Sequence, residues 1–286
     1  MRYAFIHRHR SGHRLDRLCG ALGVSASGYY AWRRRGPSAR QQANDLLSIH
    51  IRQIHHQVGQ VYGSPRMTEA LHDRGFPCSR QRVARLMRQQ DLRACIGRRF
   101  KHTTDSKHAL SVAPNRLGNG RWVTQPGQAW VSDITYIPTR QGWVYLCFIM
   151  DRHSRRIVGW AMKPYLGKAL VVEMLAMACR RHPPDPGVVF HSDQGKQYAS
   201  HAIRKQLQQA GCMPSMSRKG NCWDNAFAES FIHSLKGECM QQGLFGTRHQ
   251  AQREVFRYIE GFYNRTRKHS ALGYKSPVEF EHSLKA

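Results

Sequence analysis

The chain has 286 residues, with 45 Lys or Arg against 18 Asp or Glu, which leaves a formal net charge of +27. Hydrophobic residues supply 41% and aromatics 10%, enough for packed cores in about two domains, so a disordered chain is excluded. No apolar run approaches the roughly 18 residues of a spanning helix, and eight cysteines without a CxxC pair exclude a disulfide scaffold.

The opening residues, MRYAFIHRHR, hold no apolar signal core, so a cytosolic protein is expected. A charge of +27 attracts polyanions, and release of the counterions condensed on DNA drives salt-sensitive binding. A ribosomal partner, or a basic face with no specific partner, is the blander alternative. The basic excess is denser over residues 1–110, where the pattern is helical. Leu15, Leu18 and Leu22 recur at helical spacing, Gly23 punctuates, and Ser25 or Ser27 caps a helix through Trp32 and Arg33. A second pair follows, with Ser64 as cap, Pro65 at the first helical position, and an apolar stripe of Met67, Ala70 and Leu71. Gly75 and Pro77 break that helix. Ser79 then caps another, with Val83, Leu86 and Met87 facing inward and Arg80, Arg82, Arg85 and Arg88 outside. Helix, short turn and arginine-rich helix is the shape of a helix-turn-helix reader, although a hairpin with a solvated basic face has the same pattern.

Gly, Pro, Ser, Thr and Lys then dissolve the periodicity, giving domain limits of 1–98, a linker at 99–128, and a second unit at 129–286. Strands are expected at Trp130 to Ile137, Trp143 to Met150 and Ile157 to Met162, joined by short turns as an antiparallel meander. Leu166 to Arg181 reads as a helix ended by Pro183 and Pro184. A buried strand at Val188 to Phe190, a helix from His201 to Ala210 and a short strand near Met213 to Ser217 complete a mixed sheet with flanking helices.

Three carboxylates stand out. Asp133 lies within the strand WVSDITYI, where it either faces solvent or is paired or bound to metal. Asp193 follows the apolar run VVF at the exit of the fourth strand, a place for ligands or simply a turn. Glu229 lies on a helical stretch whose Asn225, Glu229, His233 and Lys236 share one face, the pattern also of a solvated surface. If the first and fourth strands are neighbours, Asp133 and Asp193 converge, and a helix crossing that edge adds Glu229. Three hard carboxylates suit Mg²⁺, and two such ions serve phosphodiester displacement.

Four stretches are distinctive: WVSDITYIPTRQGWVYLCFIMDRHSRRIVGW, HSDQGKQYAS, SMSRKGNCWDNAFAESFIHSLKGE and YIEGFYNRTRKHSALGYKSPVEF. Exactly as spaced, with 35 residues between Asp193 and Glu229 and Lys236 seven beyond, they closely resemble the B-frame catalytic proteins of the IS-three family. These are insertion-sequence transposases of the DDE class, relatives of retroviral integrases. The resemblance spans nearly the whole chain. It implies a ribonuclease-H-like integrase core, α/β with a mixed five-stranded sheet and flanking helices, preceded by an all-α helix-turn-helix region. It implies that Asp133, Asp193 and Glu229 hold two Mg²⁺ ions, with Mn²⁺ as a substitute, for strand cleavage at element ends and transfer of the 3′ hydroxyl to target DNA. The implied partners are double-stranded DNA (terminal repeats and target), further copies of the chain on that DNA, and an upstream-frame protein joined by frameshifting. No membrane partner is implied, and the place of action is the bacterial cytosol at the nucleoid.

Beyond the triad, Lys236 is expected at the phosphate backbone near the scissile bond, and Lys196 and Tyr198 in a DNA groove beside Asp193. Asn225 would orient Glu229 or touch DNA, and Arg80, Arg82 and Arg85 would bind DNA from the second helix of the reader. Trp223 would stack on a splayed base or sit in the core. Asp151 reads as a turn residue and Asp224 as a helix cap. The basic tract Asn264 to Tyr274 either holds DNA or packs the last helix. A non-enzymatic repressor of the element is the alternative function, and a hybrid-specific ribonuclease a third.

Overall fold

A computed structural model describes residues 1–95, 112–118, 121–218, 225–241 and 243–285. Trp223, Asp224 and part of the expected linker lie outside the described residues. Helices α1 (Arg2–His9), α2 (Leu15–Ala21) and α3 (Ala26–Arg34) close on a small core of Ile6, Cys19 and Tyr29. Gly23, at φ +61°, makes the turn between α2 and α3 in the left-handed region that glycine enters without strain. Ser25 caps α3 by accepting from the Gly28 N–H at 3.0 Å.

A second helical core joins α4 (Ala39–Gln57), α5 (Ser64–His72) and α6 (Arg80–Gln89) through Leu47, Ile51, Met67, Leu71, Val83 and Leu86. Ser79 caps α6 as expected, accepting from the Arg82 N–H. The cap of α5 differs: Gly63 occupies it, and Ser64 is already helical, its carbonyl taking a bond from the Thr68 hydroxyl at 2.8 Å. The helix α4 has no counterpart in the sequence reading.

Five strands follow: β1 (Ala129–Thr139), β2 (Gly142–Asp151), β3 (Ile157–Lys163), β4 (Val189–Ser192) and β5 (Met213–Met216), in the order β3-β2-β1-β4-β5. The first three form the expected antiparallel meander, while β1 pairs in parallel with β4 and β4 with β5. Both faces of the sheet are covered. Helices α7 (Lys168–Arg181) and α8 (His201–Gln209) pack on Trp130, Cys147, Ile149 and Phe190. The opposite face, with Val131, Ile137, Leu146 and Phe148, takes α9 (Ala226–Cys239) and α10 (Arg248–Phe256). The Phe148 and Phe231 rings, 4.5 Å apart between centroids, bind α9 to the middle of β2. Leu117 and Val123, inside the expected linker, are buried in this same core, so that stretch packs against the sheet.

Beyond α10 the chain continues through a π-helical stretch, Arg257–Tyr263, a short 3₁₀ turn, Ser270–Leu272, and α11 (Pro277–Ser283), which Ser276 and Glu279 open as a reciprocal capping box. Asp151 is the turn residue expected: one carboxylate oxygen accepts from the His153 and Ser154 N–H groups and the other from Gly127. Among the described residues no helix is long and apolar enough to cross a membrane.

At Gly159 on β3, a Cβ would stand 2.7 Å from the Met174 carbonyl oxygen and 2.8 Å from the Ala178 nitrogen, both backbone atoms of α7. Gly159→Val is therefore expected to cost about 1–3 kcal/mol by overpacking. Urea denaturation measures this, and an unchanged midpoint would contradict the close approach of α7 to the sheet.

Candidate active site

The register of β1 on β4 sets the site. The last pairs are Trp130 with Phe190 and Val131 with His191, so two residues further on, at the exit of β4, Asp133 stands level with Asp193. His191 fixes that exit: it is fully buried, with Nδ1 2.9 Å from the Ser215 hydroxyl and Nε2 3.1 Å from that of Ser217. Beyond it, Asp193 folds back to accept from the Gly195 N–H at 3.0 Å. Alternation along β1 puts Asp133 on the face of Val131 and Ile137, which is the face covered by α9.

At the start of α9, the Asn225 amide donates to the Ser132 carbonyl at 3.3 Å, tying the helix to the strand residue before Asp133. Glu229 comes one turn later. The electrostatics record the convergence: the Asp133 carboxyl is pushed up to about 8, first by burial, then by the Asp193 charge and, more weakly, by Glu229. The Ile134 N–H and the Lys236 ammonium act against that rise. Lys236, half-buried two turns beyond Glu229, is itself lowered by burial, with Asp133 opposing. The three carboxylates and one lysine therefore share a field. Among the described residues, however, no three His, Cys, Asp or Glu side chains are grouped as a metal cage.

The other expected residues divide. Lys196 is exposed on the loop after Asp193. Arg80 and Arg85 are exposed on α6, whereas Arg82 is half-buried and donates to the Asn44 side chain on α4 at 2.8 Å. Tyr198 does not line a groove. It is buried behind the sheet, its hydroxyl 2.8 Å from that of Ser132, because its ring completes the core with Phe190. Asn225 is likewise buried, which removes it from a DNA surface and leaves it holding α9 against β1.

Much of the basic tract Asn264 to Tyr274 is turned inward, although Arg265 is exposed. Asn264, Arg267, Lys268 and His269 are all buried, and Asn264 bonds both backbone groups of Ile157 at 2.9 Å. Arg267 meets Glu238 on α9, a pairing across 29 residues that no local sequence signal announces. Sequence reasoning therefore missed Glu238, Arg66 and Tyr258, which surround this guanidinium.

Known proteins share this organisation. Integrase core domain models match residues 123–222 and 210–277, and a model described as an HTH-like domain matches 41–100. A 31 kDa protein of insertion element IS600 from Shigella sonnei is 42% identical over 92% of this chain and 97% of its own. The transposase InsF of insertion sequence IS3A from Escherichia coli K12 is 39% identical over 98% of each chain. Among solved structures, the catalytic core domain of BIV integrase aligns at 15% identity and a TM-score of 0.42, over 56% of this chain and 96% of that one. With an integrase core, a helix-turn-helix-like segment and end-to-end likeness to InsF, the chain belongs to the IS3 family of insertion-sequence transposases.

Proposed function

We propose that Asp133, Asp193 and Glu229 form the metal-holding centre with which this transposase cuts a strand at the end of its element and joins the freed end to target DNA. DNA transposition is the activity of its family, and polynucleotidyl transfer is the reaction of an integrase core. The observation that carries the residue assignment is the register of β1 on β4, which brings Asp133 level with Asp193, with the Asn225 amide holding the start of α9, and so Glu229, against Ser132. An all-oxygen donor set under like-charge repulsion suits a hard divalent cation, whose binding offsets that repulsion. Two Mg²⁺ ions, or Mn²⁺ in their place, would activate the attacking oxygen and stabilise the leaving one.

The chain's own residues do the rest. Asp133 and Asp193 give fixed oxygens from adjacent strands, and Glu229 gives a third from a helix held at Ser132. Water attacks the phosphorus at the element end and releases a 3′ hydroxyl. That hydroxyl attacks a target phosphodiester and displaces the target's 3′ oxygen. Lys236 neutralises phosphate beside the carboxylates, Lys196 meets the backbone at the rim, and exposed Arg80 and Arg85 grip duplex DNA. Arg82, tied to Asn44, orients α6. Copies of the chain would assemble on paired ends, and an upstream-frame product fused by frameshifting would complete end recognition. A repressor without catalysis is not favoured, since three acids facing phosphate weaken DNA binding and add nothing to it.

Glu229→Gln is expected to retain DNA binding while strand transfer from a duplex with a free 3′ hydroxyl falls by more than about a hundredfold, beyond the loss from a supporting residue. Gel analysis of joined products measures this, and equal product from both proteins would remove Glu229 from the site.

A pH dependence follows from Asp133. Its carboxyl is pushed up to about 8 in the folded chain, chiefly by burial, from the 3.8 of a solvated aspartate, so the fold holds a proton that the unfolded chain has released. Stability from that proton is present at low pH and lost as pH rises from about 4 to about 8. In EDTA, Asp133→Asn should therefore gain melting temperature over wild type as pH rises through that window. A difference that stays constant with pH would contradict the assignment.

A further inference from the structure

We propose that Arg66 is a positioning residue for α9: it ties the helix-turn-helix-like unit to the buried Glu238–Arg267 pair and so couples DNA held by that unit to the placement of Glu229. The coupling to catalysis rests on the reading of Glu229 given above.

Glu238 lies nine residues beyond Glu229 on the same helix, roughly 13 Å along its axis. Its carboxylate is gripped from three directions. Arg267 donates from Nε to Oε2 at 2.7 Å and from a terminal nitrogen to Oε1 at 2.5 Å, and the Tyr258 hydroxyl adds a bond to Oε2 at 2.7 Å. Arg267 also reaches the Ser234 hydroxyl on α9 at 3.1 Å. The side chains of Arg267 and Glu238 are only 5% and 9% exposed. A buried ion pair is a poor source of net stability, because desolvation offsets much of its attraction. What a two-pronged pair does supply is a fixed rotation and height for the helix that carries it.

Arg66 enters this pair from outside the catalytic core. It sits on α5, directly before the arginine-bearing helix α6, with its guanidinium 3.8 Å from Glu238 Oε1. Burial and the charge of Arg267 lower its pKa, while Glu238 acts the other way. The backbone around it is joined to the same segment. The Tyr62 hydroxyl donates to the Thr266 carbonyl at 2.9 Å and accepts from the Lys268 N–H at 3.0 Å, and the Lys268 ammonium pairs with Asp73 just past α5. Phe262 packs into both the helical core and the sheet core. A shift of α5 therefore acts on Glu238 through Arg66 and on Arg267 through the segment around Thr266.

Arg66 is the member of the cluster to change, because it is partly exposed and its contacts are long, 3.8 Å to Glu238 and 6.0 Å to the centroid of the Tyr62 ring, whereas removing Glu238 or Arg267 strands a buried charge. The test uses the full chain with a duplex made from the terminal sequence of its own element, comparing wild type, Arg66→Met and Arg66→Lys. Hydrogen exchange over residues 226–239 is followed with and without the duplex, alongside turnover, KM and melting temperature. Arg66→Met should bind the duplex within about twofold of wild type, lose the duplex-dependent protection of α9, and turn over roughly tenfold more slowly at unchanged KM. Arg66→Lys, which keeps the charge, should restore most of both. A raised KM with normal turnover would overturn the proposal, as Arg66 would then be a DNA contact. Equal losses in both variants that track melting temperature would also overturn it, leaving Arg66 a packing residue. The exchange signal does not depend on the role of Glu229: if Glu229→Gln is fully active while duplex-dependent protection still needs Arg66, the catalytic assignment fails and the coupling stands.

Discussion

Because β1 pairs in parallel with β4, two strands separated by 49 residues of chain lie side by side, and Asp133 within the first comes level with Asp193 just past the second. The rest of the structure serves that juxtaposition. The antiparallel meander holds β1 in the centre of the sheet, His191 locks the end of β4 to Ser215 of β5 and Ser217 just past it, and α7 and α8 seal the opposite face. An isolated aspartate in such a strand would be costly to bury as an anion. Here the cost is concentrated at Asp133, beside a second carboxylate, with the Lys236 ammonium opposing it in a chain of net charge +27. On the proposed function, the basic field draws phosphate near and the acidic island within it gives a divalent cation a place to bind.

Positive charge plays two distinct parts in this chain. On α6 it is displayed to solvent, with Arg80 and Arg85 free to meet a polyanion. In the segment after α10 it is turned inward, where Arg267 and Lys268 fasten the helical unit to α9 and Asn264 fastens the segment to β3. His269 belongs to the second part. Its Nδ1 lies 3.3 Å from a guanidinium nitrogen of Arg267, which can only donate, so the ring proton resides on Nε2. Burial, reinforced by the neighbouring arginines, lowers the imidazole to about 2, so it stays neutral among cations. Composition alone assigns all these residues to DNA, whereas packing separates them.

Strand positions were legible because their signal is local. Continuous apolar runs bounded by turn residues placed β1, β2 and β3 within two residues of where they lie, and Asp133 and Asp193 followed once their strands were neighbours. Ser25 and Ser79 were legible as caps for the same reason. Tyr198 was misplaced because a tyrosine after a turn looks the same whether its hydroxyl meets water or Ser132, 66 residues away. Asn225 and the basic tract each stand open in sequence between a DNA contact and a structural role, and the structural role found here rests on partners 93 and 29 residues distant. Polar residues reveal burial only through such partners, and spacing along the chain does not contain them. The apolar repeat of Leu47, Ile51, Ile54 and Val58 did announce α4, and that signal was open to a closer reading.

On the proposed function, Asp133 and Asp193 hold a cation between them. Anomalous scattering from crystals of the full chain grown with Mn²⁺ tests it most directly. A peak within about 2.0–2.3 Å of oxygens from both carboxylates is the predicted result, lost in an Asp133→Asn protein that still folds. A peak elsewhere in the molecule, or none at this site in crystals that retain strand-transfer activity on dissolving, would contradict it.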